Sequence, residues 1–270
     1  SAKLQVGHPP GAPLFQMLGA IFSTFAFESD QIALSINMMS VTSSALTILF
    51  LFWSISHLIK GFVSLKKHIS IIEAIKIFGS STLGSLTFTF TDSFWYNAVE
   101  AEVYAMASLI LSLLFWLGLK WVENIESERG DKWLILISFV IGLSFGVHFM
   151  GLLAIPAIGL LYYFKKYTFK LGSFLLANII SISILLFIFK LLLPTTLSIF
   201  GYVEVFFVNE IGLPFNYGTI FSAIILILTI YYLLNKSFRE NKYMLNTITL
   251  CVTFIFIGFS SWLMIPIRSN

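Results

Sequence analysis

The sequence predicts an all-α protein, a polytopic bundle of transmembrane helices, on three observations. Only 11% of its 270 residues are charged and 58% are hydrophobic, whereas a soluble domain has roughly a quarter of its residues charged. The mean hydropathy is +0.92. Apolar stretches of about 20 residues, the length that crosses a bilayer, recur along the whole chain. So few charges leave a water-facing surface uncovered, and the 17% aromatic content, with 29 Phe, suits lipid contact and the filling of gaps between helices. Lipid is the expected solvent, which excludes a soluble domain.

The elements follow in chain order. The turn His8-Pro9-Pro10-Gly11-Ala12-Pro13-Leu14 leads into an apolar stretch ending near Phe27. Two prolines fix φ, Gly11 permits a sharp change of direction and Pro13 suits a first helical turn, so an outer interfacial helix is expected. The turn either only starts that helix or presents His8 to a ligand. Spans are expected at about 31–59 and 70–90. In the second, the run Gly79-Ser80-Ser81 and Gly84-Ser85 allows a neighbour to approach closely. His57, His68, Glu73 and Lys76 read as interfacial or locally paired.

Residues Thr91-Asp92-Ser93-Phe94-Trp95-Tyr96-Asn97-Ala98-Val99-Glu100-Ala101-Glu102 precede a third span at about 102–121. Asn97 and Glu100 have the spacing of a helix N-cap and its reciprocal acceptor, which gives Glu100 a structural task and leaves Glu102 unexplained. A second carboxylate at the mouth of a span, beside Trp95 and Tyr96 faces that can lie against a sugar ring, suits hydroxyls or a cation.

The stretch 133–164 is too long for one helix and carries Gly142, Gly146, His148, Gly151 and Pro156 near its middle, so a hairpin of two short helices is expected. An imidazole at membrane depth is costly and faces a cavity or a partner. His148 therefore either donates to a helix-end carbonyl or stands opposite Glu102 or a phosphate. Further spans are expected at about 171–193, 218–235 and 243–267, with a long connection at 194–217, making eight spans in one transmembrane domain, 1–270. Near the last residue, Arg268 is either an interface anchor or a phosphate clamp, since guanidinium matches phosphate oxygens bidentately.

Lys and Arg accumulate in cytoplasmic loops. The groups Lys60/Lys66/Lys67, Lys120/Arg129/Lys132, Lys165/Lys166/Lys170 and Lys236/Arg239/Lys242 hold twelve of the sixteen basic residues, and the hairpin at 133–164 puts all four on one side. The opposite, outer side receives Glu28, Asp30, Asp92, Glu100, Glu102, Glu204 and Glu210, together with the outer helix and the bend at 145–150. Cys251 is the single cysteine, so no disulfide forms within the chain, and no metal-binding cluster is visible. The opening Ser1-Ala2-Lys3 has no initiator Met, and the chain reads as a piece of a longer polypeptide.

Taken in order, the His8–Leu14 turn, the Trp95–Tyr104 segment, the Gly142–His148 segment and the terminal Pro266–Asn270 resemble the polytopic glycosyltransferases of family 117 across essentially the whole chain. That family has an animal protein O-mannosyltransferase and many bacterial members. The resemblance implies a GT-C-like fold and transfer of a sugar, possibly mannose, from a polyprenyl-phosphate donor to a protein or glycan acceptor on the non-cytoplasmic face. It also implies an Asp-x-Gly-Glu-like stretch shortly before the turn. This would place the main catalytic carboxylate upstream of Ser1 and make activity of these residues alone unexpected.

On that reading Glu100, Glu102 and His8 are the catalytic candidates, and Arg268, His148, Trp95, Tyr96 and Asp92 the substrate-binding ones. No cofactor and no metal is expected, since the lipid-phosphate sugar is itself the substrate. The expected partners are membrane lipid, that donor and the acceptor, with no nucleic acid. The expected location is a bacterial inner membrane with the site facing the periplasm. Two rivals use the same residues differently: a transporter or flippase of a lipid-linked substrate, and a non-catalytic membrane assembly partner.

Overall fold

The computed structural model describes residues 2–4, 12–63, 69–128 and 130–268. They form α1 (Pro13–Ser23), α2 (Ile32–Val63), α3 (Ile71–Thr89), α4 (Asp92–Val99), α5 (Val103–Glu123), α6 (Asp131–Ser144), α7 (Ala154–Lys166), α8 (Leu171–Leu186), α9 (Leu193–Asn209), α10 (Tyr217–Arg239), α11 (Tyr243–Phe259) and α12 (Met264–Arg268). No strand occurs among the described residues. In lipid every backbone polar group has to be satisfied within the segment, and a helix does this.

Six stretches among the described residues are long and apolar enough to cross a bilayer: Ser29–Val63, Val103–Glu123, Phe149–Lys166, Leu171–Asn209, Tyr217–Arg239 and Tyr243–Leu263. The chain is thus a polytopic integral membrane bundle, with six such helices where the sequence predicts eight spans. The difference lies in α3, diluted by Glu73, Lys76 and its Ser, Thr and Gly residues, and in α6, whose 14 residues rise only about 21 Å against a hydrocarbon core of about 30 Å. The break expected within 133–164 is present, as a turn after Ser144 and a 3₁₀ segment Phe149–Leu153 that leads into α7.

The long connection expected at 194–217 is instead mostly helix: α8 and α9 form one 39-residue rod, Leu171–Asn209. Pro194 brings no N–H and crowds the carbonyl four residues back, at Lys190, in a regular helix. A π-helical stretch at Phe187–Leu192 precedes it, and such a widened turn absorbs the misfit so that the helix continues.

Contacts between the ends of different helices define two ends of the bundle. At the basic end His57 faces Glu123 at 3.9 Å, Lys166 pairs with Glu126, and Thr247 Oγ1 donates to Asp131 Oδ2 at 2.6 Å. There Ser70 and Glu73 form a reciprocal capping box that starts α3, so Glu73 has a capping role in addition to the local pairing expected for it. Lys66, Lys67, His68 and Arg129 lie outside the described residues. α5 runs through the centre, packed by α2, α6 and α7, with Ala107, Leu114 and Leu117 buried.

Lipid tails are as apolar as these side chains, so association rests on close packing and on interhelical hydrogen bonds worth about 0.6 kcal/mol each. The small-residue run on α3 serves this purpose. Ser81 and Ser85 are buried, Ser56 of α2 donates to Ser81 at 2.9 Å, and a Cβ on Gly84 would stand 3.2 Å from Ile55. The tightest crossing joins α6 to α11. A Cβ on Gly142 would strike the Ile255 carbonyl, and one on Gly258 the Phe139 carbonyl, so two glycines let the backbones touch.

Candidate functional site

At the acidic end, α4 and the start of α5 form an exposed corner. Asp92 sits in the first turn of α4, where a carboxylate is favoured by the helix dipole. Phe94 is buried and lies 4.7 Å, ring to ring, from Phe88, which fixes α4 to the end of α3. Trp95, stacked on Phe90 at 5.8 Å, and Tyr96 remain exposed. Glu100 and Glu102 are both exposed in extended backbone on either side of Ala101, and the Glu102 amide donates to the Glu100 carbonyl at 2.8 Å. The capping pair expected of Asn97 and Glu100 does not form. Asn97 lies inside α4 with its side-chain amide donating to the Ser93 carbonyl at 2.7 Å. Glu102 flanks the N-terminus of α5 without a side-chain cap bond. Both carboxylates are free of the structural task.

His148 lies in the break after α6. Its amide donates to the Ser144 carbonyl at 2.7 Å, and its Nδ1 accepts from the Met150 amide at 3.1 Å. Nδ1 is thus an acceptor, and among the described residues the ring donates to no helix-end carbonyl. A neutral imidazole with an accepting Nδ1 carries its proton on Nε2, and among the described residues no protein group takes that proton. The ring sits 5.5 Å from the Tyr104 ring at the start of α5.

The same break is the hub of this end. The amides of Leu14 and Phe15, unpaired donors in the first turn of α1, both reach the Gly146 carbonyl, at 2.8 and 3.2 Å. A Cβ on Gly146 would meet Leu14 Cβ at 2.7 Å and would collide with Ser261 Oγ, so only glycine lets α1 dock there. Trp262 Nε1 donates to the Phe145 carbonyl at 2.9 Å. Residues 145–148 thus touch α1, the α4–α5 corner and the segment before α12.

Arg268 lies at this end as well, exposed, with Nε and Nη2 donating to the carbonyls of Leu4 and Lys3 at 3.1 and 3.2 Å. It borders a cavity of about 650 Å³ whose other walls, Met17, Phe139, Leu143 and Ile257 among them, are mostly apolar. The fold therefore puts Asp92, Trp95, Tyr96, Glu100, Glu102, His148 and Arg268 at one end. Among the described residues no hydrogen bond or ion pair joins Glu100 or Glu102 to His148 or Arg268. His8 lies outside the described residues, and so does the side chain of Pro266. Among the described residues no three His, Cys, Asp or Glu side chains gather to hold a metal ion.

Three residues take roles that the sequence does not assign to them. Tyr104 stands in the quoted motif but faces His148 only because two loops meet. Gly146 is a docking point for α1, which its spacing does not announce. Glu204 sits on α9 and caps α10: its carboxylate accepts from the amides of Asn216 and Thr219 and from the Thr219 hydroxyl.

A family model described as the N-terminal domain of the protein O-mannosyl-transferase TMEM260 matches residues 1–171. The chain belongs to this family. The match covers the α4–α5 corner and the residue 145–148 hub, and it ends at the start of α8, whereas the sequence resemblance extends to Asn270. A Dictyostelium discoideum protein named protein O-mannosyl-transferase tmem260 is 26% identical over 162 residues, covering 56% of this chain and 18% of that protein. The Mus musculus protein O-mannosyl-transferase TMEM260 is 26% identical over 145 residues, covering 53% of this chain and 18% of its own length. The aligned part of the chain thus spans less than a fifth of these relatives. No solved structure matches the chain significantly.

Proposed function

We propose that the chain is part of a GT-C-type membrane glycosyltransferase of family 117. It moves a sugar, mannose by analogy with the names of its relatives, from a polyprenyl-phosphate donor to a protein or glycan acceptor. The acidic end faces the non-cytoplasmic side, which is the periplasm if the protein sits in a bacterial inner membrane. Family membership over residues 1–171 is the observation that carries this reading.

The chemistry at the acidic end supports it. In the transfer an acceptor oxygen forms a bond to the sugar C1 while the bond from C1 to the phosphate oxygen breaks. The phosphate leaves with the electron pair, and the hydroxyl proton passes to a base. Such a step needs positioning and stabilisation of the leaving charge. Glu100 and Glu102, free of capping, take hydroxyls of the acceptor or the sugar, with Trp95 and Tyr96 against the ring and Asp92 at its edge. The Nε2–H of His148 donates to phosphate. Arg268 ties down residues 3–4 beside an apolar cavity of about 650 Å³ that suits an isoprenoid tail.

The test uses the full-length protein in membranes, with polyprenyl-phosphate mannose and an acceptor. Glu102→Gln is expected to lower transfer more than tenfold with membrane insertion unchanged. Full transfer by that variant removes Glu102 from the site. A wild-type protein that turns over no polyprenyl-phosphate sugar overturns the function.

A further inference from the structure

Away from the acidic end, an apolar slot runs along α8 from the basic end. A cavity of about 450 Å³ lies between α5, α7 and α8, walled by residues such as Trp121, Ala177 and Ile180. It shares Trp121, Gly159, Ser181 and Ile184 with a second cavity of about 420 Å³, whose wall includes Cys251. From Ser173 to Ile184 the helix rises about 16 Å, close to the roughly 15 Å that one leaflet contributes to the hydrocarbon core.

The mouth of the slot is fixed and cationic. Tyr163 hydrogen-bonds Ser173 Oγ at 2.7 Å, and the Lys170 amide donates to the Tyr163 hydroxyl at 3.1 Å, which locks the turn between α7 and α8. That turn carries Lys165, Lys166 and Lys170, and no Asp or Glu lies between Asp131 and Glu204 in the sequence. Glu126 pairs with Lys166. Lys165 and Lys170 are exposed, and among the described residues neither is in an ion pair. Basic sites between helices recruit anionic headgroups.

We propose that this slot binds an anionic glycerophospholipid from the leaflet at the basic end. One acyl chain lies along α8, and the phosphate rests against Lys165 and Lys170. The apolar walls account for the tail, and the three lysines of the turn, which outnumber the Glu126 that pairs with Lys166 and also lies in the field of Lys165, account for the headgroup charge. This proposal is independent of the transferase reading, whose site lies at the other end.

The protein is reconstituted into nanodiscs of equal parts phosphatidylcholine and phosphatidylglycerol, and the lipid it retains is measured by native mass spectrometry. Wild type is expected to retain phosphatidylglycerol preferentially. Lys165→Gln/Lys170→Gln, at two exposed positions that the fold does not need, is expected to lower that preference about tenfold. Ala177→Phe, which fills the slot, is expected to lower retention of both lipids. Alkylation of Cys251 by a membrane-permeant maleimide is expected to slow when phosphatidylglycerol is present. Equal retention of the two lipids, or a preference that both variants leave unchanged, overturns the proposal. So does Cys251 protection with no phospholipid retained, the result for a slot filled by protein or by a polyprenyl chain.

Discussion

α5 and α10 have 21 and 23 residues and both qualify as spans, yet other helices bury 44% of the apolar window of α5 and 11% of that of α10. α5 is touched by α2, α4, α6 and α7, whereas α10 packs against α9 and α11. Hydropathy does not separate them. On α5 the buried positions include Ala105, Ala107 and Gly118, small enough for neighbours to seat closely; a Cβ on Gly118 would stand 2.7 Å from Ile158. On α10 Ile224, Ile227 and Leu228 are exposed, to lipid in a membrane. A bilayer gives neither surface a reason to hide, so contour decides which helix becomes the centre.

The largest expected effect falls where backbones touch. Gly258→Val at the α6–α11 crossing is expected to cost about 3 kcal/mol, the upper part of the range for overpacking, in an unfolding titration in micelles. A fully stable variant would show that this crossing is looser than its glycines imply. Next comes a direct contrast between the two helices. Leu114→Ala on α5 is expected to cost about 2 kcal/mol or more, while Leu228→Ala on α10 is expected to stay within about 0.5 kcal/mol. Equal costs would break the distinction between centre and periphery.

A smaller effect is expected at the start of α10. Glu204→Ala removes the acceptor for the Asn216 and Thr219 amides, and hydrogen exchange at those two amides is expected to accelerate while exchange in the middle of α5 is unchanged. The smallest is at the basic end. The hydrogen bond and charge of Lys166 hold the Glu126 carboxyl below the usual carboxylate range. Any stabilisation is therefore present at neutral pH and is lost as pH falls through that lowered value. The pair is solvent-exposed and screened, and Glu126→Gln is expected to leave the melting temperature unchanged at neutral pH. A clear drop would place this loop with the packed part of the molecule.

Much of the fold is legible in the residues. Long apolar runs mark the spans, Gly142 through Pro156 mark the break, and Pro13 marks the start of α1, because length, φ restriction and missing donors are local properties. Other features are not local. The span expected at 171–193 stops before Pro194, but a π turn at Phe187–Leu192 lets the helix continue to Asn209, and α9 packs against α10. Asn97 and Glu100 have cap spacing, yet the helix boundaries fall so that neither caps, because buried Phe94 fixes α4 to Phe88. At the site, the residue types are legible. The contacts of His148 with Tyr104 and of Gly146 with Leu14 join positions far apart in sequence, and spacing carries no record of them.

By itself the sequence determined the solvent, the helical class and the gathering of twelve of the sixteen basic residues into four short stretches of chain. Hydropathy and loop charge act residue by residue and need no partner. Only the tertiary structure decided which apolar helix is central, where glycine backbones meet, and that the break at residues 145–148 ties α1, the α4–α5 corner and Trp262 together. Among helices immersed in lipid those outcomes depend on fit between surfaces, which no single stretch of chain specifies.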